Sequence, residues 1–226
     1  MRVLAIIPAY NEEESIVSTV EEFLATNTGC DYLVVNDGSS DSTERICQER
    51  GYNYVSHPTN LGLTGGFQTG VKYALAHGYD AVVQFDADGQ HVPTYLPEMV
   101  TEMERAGADI VIGSRFVSES KSFSARMVGS RLITGIIKLT TGQTVTDPTS
   151  GMRLYNRTMM EEFARRFDFG PEPDSIAYLM RHGAKVSEVQ VQMRERQAGE
   201  SYLNFAKSIS YMARVCTSIL LAQWFR

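Results

Sequence analysis

The chain has 226 residues, 43% hydrophobic and 21% charged, with a formal net charge of −6. That length fills one α/β domain with a full core, and the composition is that of a soluble globular protein. The acidic balance argues against a nucleic-acid binder, and no apolar run approaches the roughly 18 residues of a membrane span.

Met1 to Ile7 is too short an apolar run, and too soon interrupted by Pro8, to read as a signal peptide. The expectation is a protein that is neither secreted nor membrane-spanning. Cys30, Cys47 and Cys216 lack zinc or redox spacing and are expected as reduced, partly buried thiols of a cytosolic protein.

In chain order, the first half alternates apolar runs with helical patterns. Strands are expected at Val3–Ile7, Tyr32–Asn36, Tyr54–Ser56, Ala81–Phe85 and Asp109–Gly113. Helices are expected at Glu12–Thr26, Ser42–Arg50, Thr64–His77 and Thr94–Ala106. Helix-start signals agree: Asn11 before an acidic turn, Asp41 and Ser42 before Glu44, and Pro93 in a first turn. Such alternation implies right-handed crossovers and a mostly parallel sheet. Ligands then bind beyond the carboxyl ends of the strands, which brings Asp37 and Asp88 to one rim.

After Gly113 the character changes. Arg115 to Lys138 holds five basic residues against Glu119 alone. A helix is expected at Phe123–Leu139, a strand at Met152–Tyr155, a helix at Pro173–His182 and a strand at Lys185–Val191. From about 203 to 226 an amphipathic helix carries Phe205, Ile209, Met212, Val215, Ile219 and Leu220 on one stripe. With no repeat or linker, one domain over 1–226 is the simplest organisation.

Chemistry concentrates at Phe85-Asp86-Ala87-Asp88-Gly89-Gln90-His91. Two carboxylates spaced i and i+2 off a strand end form a hard oxygen site suited to Mg²⁺ or Mn²⁺, completed by water and a diphosphate. The bland alternative is a turn rich in Asp and Gly. At the first strand's end, Pro8-Ala9-Tyr10-Asn11-Glu12 lacks the glycines of a dinucleotide fingerprint, which argues against a classical NAD or FAD enzyme. Tyr10 suits base stacking and Glu12 suits base or ribose hydrogen bonds, against the alternative of a capped helix start. Asp37 at the second strand's tip invites a nucleoside contact. In Asn60–Gly70, Val71 stands where a P-loop requires lysine, so close packing or backbone approach to a nucleotide sugar fits better.

The ordered set IPAYNEE (Ile7–Glu13), VVNDGSSDST (Val34–Thr43), NLGLTGGFQTG (Asn60–Gly70), FDADGQH (Phe85–His91), IGSRF (Ile112–Phe116) and DPTSGMR (Asp147–Arg153) resembles the family 2 glycosyltransferases. Within them it is most similar to the dolichyl- and polyprenyl-phosphate sugar transferases. The resemblance implies a GT-A fold, a UDP- or GDP-sugar donor, a divalent metal, and inversion at the anomeric carbon. Carried over by motif, Pro8, Tyr10, Glu12 and Asp37 hold the nucleoside, and Asp86, Asp88 and Gln90 surround metal and diphosphate. Asp147 is implied near donor or metal. His91 is left as a supporting or turn residue. Asn36 and Leu63 depart from the common pattern, where an acid and a basic residue are frequent.

A lipid monophosphate acceptor is already ionised near neutral pH and needs cations rather than a base. Arg115, Arg126 and Arg196 are the candidates, because guanidinium grips phosphate bidentately. Arg126 and Ser130, i and i+4 on one helix, resemble the acceptor-phosphate motif, and Arg196 a late phosphate-binding arginine. That basic amphipathic helix also reads as a membrane-surface element, and the uncharged run Val215–Phe225 as a peripheral helix docking on a bilayer or on a small membrane partner. The implied location is the cytoplasmic membrane face. If the acceptor is instead a saccharide hydroxyl, Glu172 or Asp174 is the expected base. A non-catalytic nucleotide-sugar binder is the alternative of a different class.

Overall fold

A computed structural model describes residues 1–119, 125–166, 169–195 and 205–225, with backbone alone for 125–126, 205–209 and 222–225. The strands β1 (Val3–Ala9), β2 (Asp31–Asn36), β3 (Tyr54–Ser56), β4 (Ala81–Gln84), β5 (Ile110–Ser114), β6 (Arg153–Asn156) and β7 (Val186–Gln190) join one sheet. Their order is β3-β2-β1-β4-β6-β5-β7, and β6 alone runs antiparallel to its neighbours β4 and β5. The mostly parallel α/β expectation is met.

Helices α1 (Ile16–Ala25), α2 (Thr43–Arg50), α3 (Gly62–Ala76), α4 (Leu96–Ala106), α5 (Ala125–Thr141), α6 (Arg157–Arg165), α7 (Pro173–Arg181) and α8 (Phe205–Phe225) cover the faces. The alternation along β1 separates two cores. Leu4 and Ile6 pack with Phe67 of α3, Ile133 and Ile137 of α5 and Phe163 of α6. Val3, Ala5 and Ile7 pack with Ile16 and Val20 of α1 and Met99 of α4. A strand covered on both faces reads as a continuous apolar run, which is why β1 was legible.

The expected strands match within two residues, with β1 extended through Pro8 and Ala9. The first helix begins at Ile16 rather than Glu12, because Asn11 takes a left-handed φ of 55° and a turn intervenes. Helix α6 was not anticipated. Its signals are present in hindsight: the Asn156 carboxamide oxygen caps it by accepting from Met159 N at 3.0 Å, and Met159, Met160 and Phe163 are buried at helical spacing. It starts at the residue after β6, so no turn residue separates the two patterns.

The glycine-rich run of α3 serves packing. A Cβ on Gly70 would lie 2.5 Å from Ile6 Cγ2, so the helix approaches β1 closer than any side chain allows. Helix α8 seats on α5, where a Cβ on Gly129 would meet Met212. Its inward residues are Val215, Cys216 and Ile219, whereas Leu220 turns outward, which corrects the expected stripe. The side chains of Phe205 and Ile209 lie outside the described ones. Among the described residues no helix is long and apolar enough to cross a membrane. All three cysteines are free, two of them buried.

Candidate active site

Register brings the nominated residues together. Ala9 pairs with Asn36 and Ile6 with Gln84, so Tyr10, Asp37 and Asp86 each follow a strand end on one rim. Asp37 N donates to Ala9 O at 2.8 Å and Phe85 N to Ile6 O at 2.9 Å, which extends the ladder into those segments.

The loops after β1 and β2 are laced to each other. Asn11 Oδ1 accepts from Ser40 N at 2.8 Å, Asp41 Oδ2 from Glu13 N at 3.1 Å, and Glu12 N donates to Thr43 Oγ1 at 2.9 Å. Asp41 Oδ1 also accepts from Thr43 N at 2.9 Å, so Asp41 rather than Ser42 caps α2. Glu12 Oε2 accepts from Ser15 Oγ at 2.5 Å, while Tyr10 and Pro8 remain half-buried at the rim.

Asp37 is buried, and its carboxylate has three partners within the fold. Oδ1 meets His57 Nδ1 at 2.7 Å and accepts from Leu61 N at 2.9 Å, and Oδ2 accepts from Gly62 N at 2.8 Å. It therefore orders the start of α3, where exposed main-chain donors favour a carboxylate. His57, whose other ring nitrogen meets Thr69 Oγ1 at 2.8 Å, was missed in the sequence. A lone histidine separated by 20 residues from its partner leaves no local signal.

The Asp86–His91 turn is built around a buried imidazole. Asp86 N donates to His91 Nδ1 at 2.9 Å, so the neutral ring carries its proton on Nε2, which points toward Asp86 Oδ2 3.6 Å away. Asp86 Oδ1 accepts from Gln84 Nε2 at 2.9 Å, and Asp88 Oδ1 from Gln90 N at 3.0 Å. The Asp86 side chain is 33% exposed, and among the described residues no Lys or Arg pairs with it. Two rim carboxylates held by amide and main-chain donors fit a hard divalent cation that takes its remaining ligands from water and diphosphate. No group of three or more His, Cys, Asp or Glu that could hold a metal converges among the described residues, this rim included. Gln90 is tied to the chain just before Arg196: its Nε2 donates to Arg194 O at 3.3 Å, and Arg194 pairs with Glu22 at 2.8 Å.

Gly151 is the residue on which this geometry leans. A Cβ there would stand 2.7 Å from Asp86 Oδ2 and 3.4 Å from His91 Nε2. Gly151→Ala is therefore expected to push the carboxylate aside and raise the Mg²⁺ concentration for half-maximal activity about tenfold. Titration of initial rate against Mg²⁺ checks this. An unchanged metal dependence would show that Asp86 tolerates displacement.

Arg115 and Asp147 were expected at donor or acceptor, and the structure pairs them with each other. Arg115 Nε donates to Asp147 Oδ2 at 2.7 Å and Nη2 to Oδ1 at 2.9 Å, a bidentate fork on a carboxylate with no exposure. Burial alone raises the pKa of Asp147, but the Arg115 hydrogen bonds and charge outweigh it and hold the carboxyl below its ordinary value. Glu188 completes the clamp by accepting from Asp147 N at 3.0 Å and Thr146 N at 2.8 Å. Arg153, also unnominated, is buried and joins Pro148 O and Pro171 O through its two terminal nitrogens. It thus fastens the loop after α5 to the loop before α7.

On the acceptor side, Ser130 of α5 is buried. The Arg126 side chain and all of Arg196 lie outside the described ones, so the expected grip on phosphate is not visible. Glu172 and Asp174 meet α8: Tyr211 Oη donates to Glu172 Oε2 at 2.5 Å and Ser218 Oγ to Asp174 Oδ2 at 2.5 Å. Burial first, then the Glu172 carboxylate, push the Tyr211 phenol above its ordinary range. Beside them a cavity of about 220 Å³ is lined by Thr64, Gly170, Glu172, Asp174, Arg214 and Ser218.

Residues 4–163 match the pattern of Glycosyl transferase family 2. The chain is 31% identical to undecaprenyl-phosphate mannosyltransferase of Micrococcus luteus, over 99% of this chain and 96% of that one. It is 30% identical to polyprenol monophosphomannose synthase of Mycolicibacterium smegmatis, over 90% and 81% of the two chains. Mannosyl-3-phosphoglycerate synthase of Rubrobacter xylanophilus superposes with a TM-score of 0.71 at 18% identity, covering 99% of this chain and 74% of that one. Glucosyl-3-phosphoglycerate synthase of Mycobacterium tuberculosis, solved with Mn²⁺, UDP-glucose and phosphoglyceric acid, gives 0.69 at 20% identity, covering 98% and 79%. These two structures share the fold.

Proposed function

The chain belongs to glycosyl transferase family 2, and on that premise we propose that it moves a sugar from a UDP- or GDP-sugar to polyprenyl phosphate at a membrane surface, with inversion. The observation that carries the reading is the end-to-end similarity to an undecaprenyl-phosphate mannosyltransferase. A second supports it: the carboxylates nominated as base for a hydroxyl acceptor, Glu172 and Asp174, are engaged by hydroxyls of α8.

Tyr10 and Glu12 at the rim stack on and hydrogen-bond the nucleoside, beside Asp37, which orders the start of α3 through the Leu61 and Gly62 amides. Asp86 and Asp88, with Gln90 beside them, hold Mg²⁺ or Mn²⁺ against the donor diphosphate. A cation there supplies Lewis-acid stabilisation of the leaving group. Arg126, Ser130 and Arg196 bind and orient the acceptor phosphate, whose charged oxygen attacks without a protein base because its second pKa lies near 6. Arg115, oriented by its pair with the buried Asp147, serves the donor or the acceptor phosphate.

The test is incubation with radiolabelled nucleotide sugars, undecaprenyl phosphate and Mg²⁺, followed by solvent extraction. Label is expected in the organic phase, and Arg126→Ala is expected to lower it by about two orders of magnitude, as loss of a charge-assisted phosphate contact does. Glu172→Gln should leave most of it. Label on a soluble glycan instead, lost with Glu172→Gln and kept with Arg126→Ala, would point to a saccharide acceptor.

A further inference from the structure

Gln84 is a buried polar side chain at the end of a strand whose other residues, Ala81, Val82 and Val83, are apolar and buried. It leaves the sheet on the face of Val82, because side chains two apart along a strand share a face. Directly across the β4–β6 ladder stands Arg153, on the same face and equally buried. An ionised carboxylate only accepts hydrogen bonds, so the Gln84 amide must turn its nitrogen toward Asp86. Its Nε2 donates to Asp86 Oδ1 at 2.9 Å.

That orientation leaves the amide half satisfied. Gln84 Oε1 is buried without a partner among the described residues, and so is Nε of Arg153. An apolar side chain of similar length would leave no carbonyl unpaired there, so the amide adds little to folding. What it supplies is a donor to one oxygen of a partly exposed carboxylate that no described Lys or Arg pairs with. A carboxylate held at one oxygen offers a cation its other oxygen rather than both. Mg²⁺ demands a tight octahedral shell built from single oxygens, and Mn²⁺ favours the same oxygen octahedron. Ca²⁺ takes both oxygens of a carboxylate in a larger, more flexible shell.

We propose that Gln84 is a positioning residue for the cation: it holds Asp86 to single-oxygen coordination and thereby favours Mg²⁺ and Mn²⁺ over Ca²⁺. The proposal rests on the metal-dependent reading above and deepens it. Gln84 touches neither cation nor substrate in this role and acts through Asp86 alone.

The test is a titration of the full chain with Mn²⁺, read by the electron paramagnetic resonance of the free ion, with UDP or GDP present and Ca²⁺ as competitor. Gln84→Met and Gln84→Leu are each expected to weaken Mn²⁺ binding about tenfold. Ca²⁺ binding should stay nearly as it is, so the preference for Mn²⁺ falls by about the same factor. The Tm should not fall, because each variant replaces a buried, unpaired carbonyl with an apolar group. Wild-type Mn²⁺ affinity and preference in both variants would overturn the proposal. So would an equal loss of Mn²⁺ and Ca²⁺ affinity, with or without a fall in Tm, which would make Gln84 a structural prop. A wild-type chain that binds no Mn²⁺ with either nucleotide would overturn it together with the metal reading. The expected shifts in a chain that transfers no sugar to polyprenyl phosphate would support the role of Gln84 and overturn the reaction reading alone.

Discussion

Asp86→Ala with Asp88→Ala lowers sugar transfer by about a thousandfold or more at saturating donor and Mg²⁺, the several kcal/mol expected when a metal's charge stabilisation is lost. The fold should survive. His91 receives its hydrogen bond from the Asp86 main chain, so the imidazole that organises the turn keeps its partner when the carboxylate is gone. Removing the two side chains costs Asp86's bond to Gln84 Nε2 at a partly exposed position and Asp88's bond to Gln90 N at a buried one, a modest loss of stability. Initial rates measured beside thermal melts separate the two effects. A rate loss far larger than the small fall in Tm accounts for is expected. A parallel collapse of both would mean the carboxylates hold the turn rather than a cation.

The second large effect is on stability. Asp147→Ala is expected to cost about 3–5 kcal/mol, because it leaves the Arg115 guanidinium without its carboxylate at a site where Asp147 has no exposure. In a chain of this size that lowers Tm by about 10 °C. Replacing Arg115 by Met in the same chain should recover part of the loss, since two apolar groups leave no buried charge unpaired. The pair also has a pH signature in the wild type. Asp147 titrates below its ordinary value of 3.8 in the folded state, so its contribution is complete above that value. It is lost as pH falls through the lower folded value. Melts from neutral pH downward should therefore show a step on the acid side that is absent in the double variant. Equal acid sensitivity of the two proteins would contradict the assignment.

What the sequence disclosed follows from how local each signal is. Strands β1, β2 and β4 were visible because both faces are covered along their apolar runs Val3–Ile7, Leu33–Val35 and Ala81–Val83. The carboxylates of Asp86 and Asp88 were visible because strand ends point ligand groups at one rim. The partner of Arg115 was not, because Asp147 lies 32 residues on and is brought back by the antiparallel β6. The same holds for His57 with Asp37, and for His91, whose bond is to a main-chain amide that no composition reveals. On α5, the pattern gave a basic amphipathic helix but not which of its apolar residues, among them Leu132 and Ile133, face inward. The packing of α5 against the sheet core, α7 and α8 decides which of them do.

The arrangement of carboxylates, cation and diphosphate is tested most directly by anomalous diffraction from crystals grown with Mn²⁺ and a nucleotide-sugar donor. The account predicts a manganese peak within coordination distance of the Asp86 and Asp88 carboxylates that also touches the donor's phosphates, with the nucleoside against Tyr10. Ordered phosphates lying elsewhere on the rim, or a manganese peak away from both carboxylates, would contradict it.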